Sequence, residues 1–438
     1  MVPPRAPSLK RAFRIAADAV VCCDEATTVY RPGAVEVEDG RLVSVGPARD
    51  GEPCRPGVLM PGLVNCHCHS PMTLFRGAAE DMPLQRFLRE VLWPREARMT
   101  RDDVFWGMTL ACAELLRFGV TTTCEMYVHE EAILEAVESA GTRCVLTPGV
   151  ADVPGWLAWE ERLDEVVAFC DRVSDSSPDR VTVGIAAHSA YALPLAALDA
   201  LAAAAQEREL LLHFHLAETV GECAALEAEH GKSVTALLAE RGFFDGRVLA
   251  AHAVWLDDAD LHTLRERDVA VAHCPQSNAK LGAGVARLVD MLAAGLRVGL
   301  GTDGPSSNND LDLWEEMRLA ALLARAGARD AGLLAAPEAL ALATRAGAAA
   351  LGLDEVGVLE PGRAADMILV RTDDAAFVPV VEERDLLSHL AWSASSRLVA
   401  DVWVAGRQLV RDGECLSVDE ERARHEIQTR ATRLARSA

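Results

Sequence analysis

Lysine is almost missing from this chain: of 43 basic residues only Lys10, Lys232 and Lys280 are lysines, and none falls between the first two. Basic residues as a class are also outnumbered, 43 against 66 acidic ones, for a net charge of -23. A chain this acidic repels phosphate backbones, which argues against nucleic-acid binding and leaves a solvated surface as the simpler reading. The twelve cysteines include no C-x-x-C pair, so neither a zinc ribbon nor a disulfide framework is expected. No stretch approaches the ~18 apolar residues that span a bilayer. The N-terminal MVPPRAPSLKRAF lacks the apolar region and cleavage site of a secretory signal. Reduced thiols, no signal and no span together predict a cytoplasmic protein.

What remains is ordinary globular composition over 438 residues, half of them hydrophobic. That length suits a large barrel with an accessory module. Short strands are expected at Phe13–Val21, Ala34–Val37 and Leu42–Val45, the last two joined by an Asp39-Gly40 hairpin signal. The far end has the same character at Asp366–Val370 and Asp401–Val404. Residues 1–60 and 359–438, the latter ending in a helix, are therefore expected to pair into one small β-sandwich module. Between them, residues 61–358 alternate strand and helix. Eight strands are marked: Leu59–His69, Thr121–Tyr127, Thr142–Thr147, Val181–His188, Leu210–Leu216, Val248–His252, Val269–His273 and Val298–Asp303. Eight βα units predict a closed (β/α)8 TIM-type barrel, an α/β fold. A doubly wound open sheet would want G-x-G-x-x-G after its first strand, and that motif is absent there.

Barrel enzymes carry their chemistry at the C-terminal ends of strands. Six of the twelve histidines fall at those ends: His67, His69, His188, His215, His252 and His273. One such histidine is usually structural; six on one rim point to a site. In His67-Cys68-His69 a period of two sets both imidazoles on the inner face and leaves the cysteine to pack outward. A divalent cation is the common reason to bury such a pair. His215 adds a third imidazole, with Glu218 three residues on, and Asp303 adds a carboxylate between Gly301 and Gly304. His67, His69, His215 and Asp303 thus supply a divalent site with a position left for water, whose pKa such an ion lowers toward neutrality. His213 and His273 read as inward supports for neighbouring strands. His129-Glu130-Glu131 matches the H-x-E of another zinc-deaminase fold, but the P-C-x-x-C that must accompany it is missing.

Several strings together resemble the amidohydrolase superfamily over essentially the whole chain. They are Pro61-Gly-Leu-Val-Asn-Cys-His-Cys-His69, Phe75-Arg-Gly-Ala-Ala-Glu-Asp-Met-Pro-Leu84, Trp93-Pro-Arg-Glu96, His213-Phe-His-Leu-Ala-Glu-Thr219, His273-Cys-Pro-Gln-Ser-Asn278 and Gly301-Thr-Asp-Gly-Pro-Ser-Ser-Asn-Asn309. More narrowly, the chain resembles the methylthioadenosine/S-adenosylhomocysteine deaminases and the triazine chlorohydrolases. That resemblance implies the same four metal ligands, with His252 orienting the water and Glu218 protonating a purine ring nitrogen. Asp303 would be ligand and proton acceptor at once. Glu96 and His188 would bind the ribose and the outer part of the nucleoside, although His188-Ser-Ala-Tyr191 departs from the commoner His-Ala-Pro-Tyr form.

The same likeness implies one metal per chain, zinc first and iron second, because binuclear relatives bridge two metals with a lysine at the end of the fourth strand. Some relatives meet the carboxylate of S-adenosylhomocysteine with an arginine after the third strand. Thr147-Pro148 stands in that region here, and Arg162 is the residue that would compensate. The expected reaction is hydrolytic deamination of an adenosine-type nucleoside: 5′-methylthioadenosine, S-adenosylhomocysteine, 5′-deoxyadenosine or adenosine. The alternatives are deamination or dechlorination of a triazine, guanine, cytosine or pterin, and, further off, a non-catalytic scaffold barrel. The expected partner is a small-molecule substrate, with neither nucleic acid nor membrane; a homo-oligomer, dimer or tetramer, is left open.

Overall fold

The computed structural model describes residues 12–78, 80–153, 155–174 and 180–436. Eight parallel strands run in chain order around a barrel: Leu63–Cys68, Val120–Tyr127, Arg143–Val150, Val181–Ser189, Leu211–Leu216, Val248–His252, Ala270–His273 and Val298–Leu300. Helices such as Arg101–Arg117, Glu130–Ala140 and Leu195–Glu207 follow the strands and bury their apolar faces against them. Thr100 begins the first of these as a capping box, its side chain accepting from the Asp103 N–H. Small and branched side chains from six strands, among them Val64, Cys66, Cys124, Val145, Leu211, Leu249 and Ala272, form one buried cluster. Only the barrel interior is reachable from so many strands, so it is a packed core below the site.

Two expected strands are shorter in the fold. The segment 59–69 is two strands, not one. Arg55–Pro61 belongs to the other sheet, pairing with Met367–Val370, and the barrel starts only at Leu63. The eighth strand ends at Leu300, so Asp303 lies beyond it, tied back by one isolated parallel bridge to Cys68. That bridge is where the barrel nearly closes. His67 and His69 both reach the site while Cys68 joins the outer cluster, as expected, but the strand is irregular there: the register shifts between Asn65 and Cys68, and Cys66 joins the inner cluster. A bulge of this kind re-aims side chains next to a site.

Both ends of the chain feed a separate nine-stranded sheet. Two hairpins from its opposite margins meet. Asp39-Gly40 and Ala405-Gly406 both adopt positive φ, as two-residue turns require, and a side chain on Gly40 would collide with the Ala405 carbonyl. The Ala365 N–H donates to the Gly40 carbonyl and the Gly406 N–H to the Ala365 carbonyl. The sheet thereby curls over a core of Val35, Leu42, Leu59, Met367 and Trp403. The chain ends in the helix Glu420–Arg436, whose Arg430 and Arg433 pair with buried Asp103. None of the described helices is long and apolar enough to cross a membrane.

Candidate active site

At the C-terminal mouth of the barrel three imidazoles and one carboxylate converge. His69 Nε2 lies 3.2 Å from His215 Nε2, and Asp303 Oδ1 lies 3.3 Å from His69 Nε2 and 3.5 Å from His67 Nε2. Their tautomers follow from the acceptors behind them. His69 Nδ1–H donates to the Met126 carbonyl at 2.5 Å, and His215 Nδ1–H to the His188 carbonyl at 2.6 Å. A carbonyl only accepts, so both Nε2 atoms are bare. For His67 the chain is longer. Thr147 Oγ1–H donates to the Glu125 carbonyl at 2.7 Å, so its oxygen accepts from His213 Nδ1–H at 3.0 Å. His213 Nε2 must then accept from His67 Nδ1–H at 2.9 Å, which leaves His67 Nε2 bare as well. That atom is buried with no hydrogen-bond partner.

Burial drives His67 down to about 3 and holds His213 and His215 well below the ordinary imidazole range, so these rings are neutral. His67 and His69 lone pairs face the carboxylate, and the His215 Nε2 faces that of His69, an arrangement that repels unless a cation sits among them. Imidazole nitrogens and a carboxylate oxygen suit a divalent metal, and two trios that share His67 lie within ligating reach: His67, His69 and Asp303, and His67, His215 and His252.

Asp303 is locked by its neighbours. Ser277 and Ser307 hydroxyls donate to Oδ2 at 2.6 and 2.8 Å, and the Gly304 N–H donates to Oδ1 at 2.7 Å. Burial opposes its charge, yet the carboxyl is held well below its usual range, with His252, whose own pKa is raised, the neighbouring imidazole that favours the charged form. Close approach is why glycine brackets it: a Cβ at Gly301 would sit 2.8 Å from the His67 Cβ, and one at Gly304 2.6 Å from the Met72 sulfur. Asp303 and His252 both take left-handed backbone, φ 60° and 69°, a strain of about 1–3 kcal/mol each that the surrounding contacts hold in place.

A cleft opens over this cluster, lined by His69, His188, His215, Glu218, His252 and Asp303 together with Trp93, Glu96 and apolar side chains. Glu218 faces it from just past the fifth strand, its Oε1 4.0 Å from His252 Nε2. Burial raises the Glu218 carboxyl to about 7, so it carries a proton near neutrality. His252 Nδ1–H donates to Asn278 Oδ1 at 2.8 Å, which points its Nε2 into the cleft. Glu96 is not a solvated loop charge: it ends the short helix Trp93–Glu96, is buried, and accepts from the Tyr127 hydroxyl at 2.7 Å. Its carboxyl too is raised to about 7 by burial. The His188 ring stands 4.7 Å from that of His215.

A family model described as the Amidohydrolase family matches residues 58–409. The chain belongs to the amidohydrolase family. It is 39% identical over 415 residues to the 5-methylthioadenosine/S-adenosylhomocysteine deaminase of Pelotomaculum thermopropionicum, covering 93% of this chain and 95% of that one. Identity to the 5′-deoxyadenosine deaminase of Methanothermobacter thermautotrophicus is also 39%, over 401 residues, 90% of this chain and 92% of the relative. Among solved structures, a zinc-bound adenosine deaminase from Xanthomonas campestris superposes with a TM-score of 0.90 at 33% identity, covering 97% and 98% of the two chains. A triazine hydrolase from Arthrobacter aurescens superposes at 0.87 and 25% identity, covering 96% and 99%. Family and relatives make this amidohydrolase a metal-dependent hydrolytic deaminase.

All eight residues singled out from the sequence line this one mouth, save His67, which lies beneath it. Arg162 does not reach it. Its guanidinium forks onto Glu130 at 2.7 and 3.0 Å, one shell further out. Sequence reasoning missed the carbonyls of Met126 and His188, the hydroxyls of Thr147, Ser277 and Ser307, and Tyr127 and Asn278. Ser277, Asn278 and Ser307 stood inside the family-like strings, which flagged their segments without giving a role. The carbonyls left no signal, because every residue carries one.

Proposed function

We propose that this amidohydrolase deaminates adenosine-type nucleosides with a modified 5′ end, releasing ammonia and the inosine counterpart. The observation that carries the reading is a buried carboxyl group, Glu218, facing the His/Asp cluster across a shared cleft. Attack on an aromatic amidine carbon needs a nucleophile on one side and a proton for the ring nitrogen on the other. His67, His69, His215 and Asp303 would hold one divalent ion, zinc first and iron second; when bound, it supplies the Lewis acidity that makes water nucleophilic near neutral pH.

His252 Nε2 would orient the attacking water, and Asp303 would take its proton as oxygen bonds to C6. Glu218 gives its proton to N1 as C6 becomes tetrahedral. The adduct's hydroxyl proton then returns to Glu218 while Asp303 passes its own to the amine, which leaves as ammonia. N1 keeps the donated proton and C6 the oxygen. Glu96 would accept from the ribose diol, and His188 would pack at the outer edge of the nucleoside. A buried carboxylate held by Tyr127 is better matched to a diol than to a triazine, which favours the nucleoside reading. Twelve free cysteines support a reducing, cytoplasmic setting.

The test is ammonia release from methylthioadenosine, S-adenosylhomocysteine, 5′-deoxyadenosine, adenosine, guanine, cytosine and a chlorotriazine. Turnover of the 5′-modified adenosines above the free bases and the triazine is expected. Chlorotriazine or guanine as the best substrate would overturn the proposal.

A further inference from the structure

A second chamber of about 450 Å³ adjoins the cleft, sharing Glu96, Val128, Ala151 and Trp156 as common walls. The two cavities therefore adjoin at the residue proposed for the ribose. A 5′ substituent leaving that ribose on the side away from the metal cluster would point toward this chamber.

Its charges are unusual for a site that would greet an acidic tail. Among the described lining residues the cations are Arg101 and Arg162, against Glu96, Glu130, Glu131 and Glu165. Arg162 is already spent: both Nη atoms donate to Glu130, Nη1 also reaches Glu165 at 3.2 Å, and Nε donates to the Gly149 carbonyl at 3.2 Å. The Arg162 and Glu130 side chains are only 12% and 8% exposed, so drawing Arg162 onto a ligand would strand Glu130 without its partner. Arg101 pairs with Glu135 outside the chamber, and Glu131 pairs with Arg172. Of the remaining lining residues His129 is titratable, with burial lowering its pKa and so favouring the neutral ring, while Val128, Trp156 and Leu157 are apolar.

Resting on the nucleoside reading above, we infer that the outer chamber selects 5′-alkylthio substituents that are apolar near the sugar and end uncharged or in an amine, and discriminates against those ending in a carboxylate. The locked Arg162–Glu130 pair is the discriminating element. With no uncommitted guanidinium, an incoming carboxylate meets a net acidic wall, whereas an ammonium meets the more than half-exposed carboxylates of Glu165 and Glu131 and would share them with their arginines.

The experiment compares kcat/KM for methylthioadenosine and two probes of equal length, 5′-(3-aminopropylthio)-5′-deoxyadenosine and 5′-(3-carboxypropylthio)-5′-deoxyadenosine. The amine should exceed the acid by at least about tenfold at low salt, and the ratio should shrink as salt screens the chamber's charges. Glu130→Gln should free Arg162 and lower the ratio of amine to acid at least threefold. Should that variant fold poorly, the salt dependence of the unaltered enzyme decides the matter on its own. Equal rates for the two probes, or a faster acid, alongside normal methylthioadenosine turnover would overturn this inference and leave the proposed function standing. No turnover of methylthioadenosine or of either probe would overturn both.

Discussion

The backbone N–H of Asp303 donates to the His67 carbonyl at 3.0 Å. This bond belongs to the seam where the eighth strand's extension meets the first strand, and it brings together two side chains 236 residues apart in the chain. Near-closure of the barrel and assembly of the cation cluster are thus one event. A substitution that opens the seam loses the site before it loses the fold.

Removing metal should abolish ammonia release. Dialysis against a chelator is expected to inactivate the enzyme, and zinc or iron should restore it in proportion to bound metal. Full activity in a metal-free preparation would sink the assignment of the four ligands.

His213 reaches the cluster only through His67. Replacing it by alanine removes the acceptor that fixes the His67 tautomer, and should weaken metal affinity on the order of 10–100-fold. Metal titration of the apoprotein measures this directly; an unchanged affinity would break the proposed hydrogen-bond chain from Thr147 to His67.

Glu218→Gln keeps size and polarity but has no proton to give. The rate should fall on the order of 10²–10⁴-fold with metal still bound. In the unaltered enzyme kcat should decline as pH rises through about 7, because the donor is then ionised. A profile flat from pH 6 to 9 would remove Glu218 from the proton path.

Glu96→Ala should raise KM for nucleosides far more than for free adenine, since only the former carry a diol. Tyr127→Phe should do the same to a smaller degree by releasing Glu96 Oε1. Equal losses on nucleoside and base would place Glu96 outside the ribose contact.

Glu222 sits behind Glu218, accepting its backbone N–H at 3.1 Å; burial, with Glu218 nearby, raises its carboxyl to about 8. The unfolded chain ionises this group at the ordinary carboxyl value, so the folded state holds the extra proton between there and about 8. Its contribution to stability is therefore lost as pH rises through that window. Between pH 6.5 and 8 the melting temperature should fall, and Glu222→Gln, which keeps an acceptor for the capping bonds, should flatten that decline.

Periodicity and residue type were enough for much of this molecule. Eight βα units, the Asp39-Gly40 hairpin, the strand-like chain ends and the His/Asp/Glu set at strand ends are all local signals, since each depends on spacing within a few residues. Tertiary structure alone decided the rest. It ended the eighth strand before Asp303, split residues 59–69 between two sheets and slipped the register at Asn65–Cys68. It also buried Glu96 against Tyr127 and engaged Arg162 with Glu130. Each of these turns on a partner tens to hundreds of residues away, and backbone carbonyls, ion-pair choices and desolvation have no footprint in the sequence until the chain has closed around them.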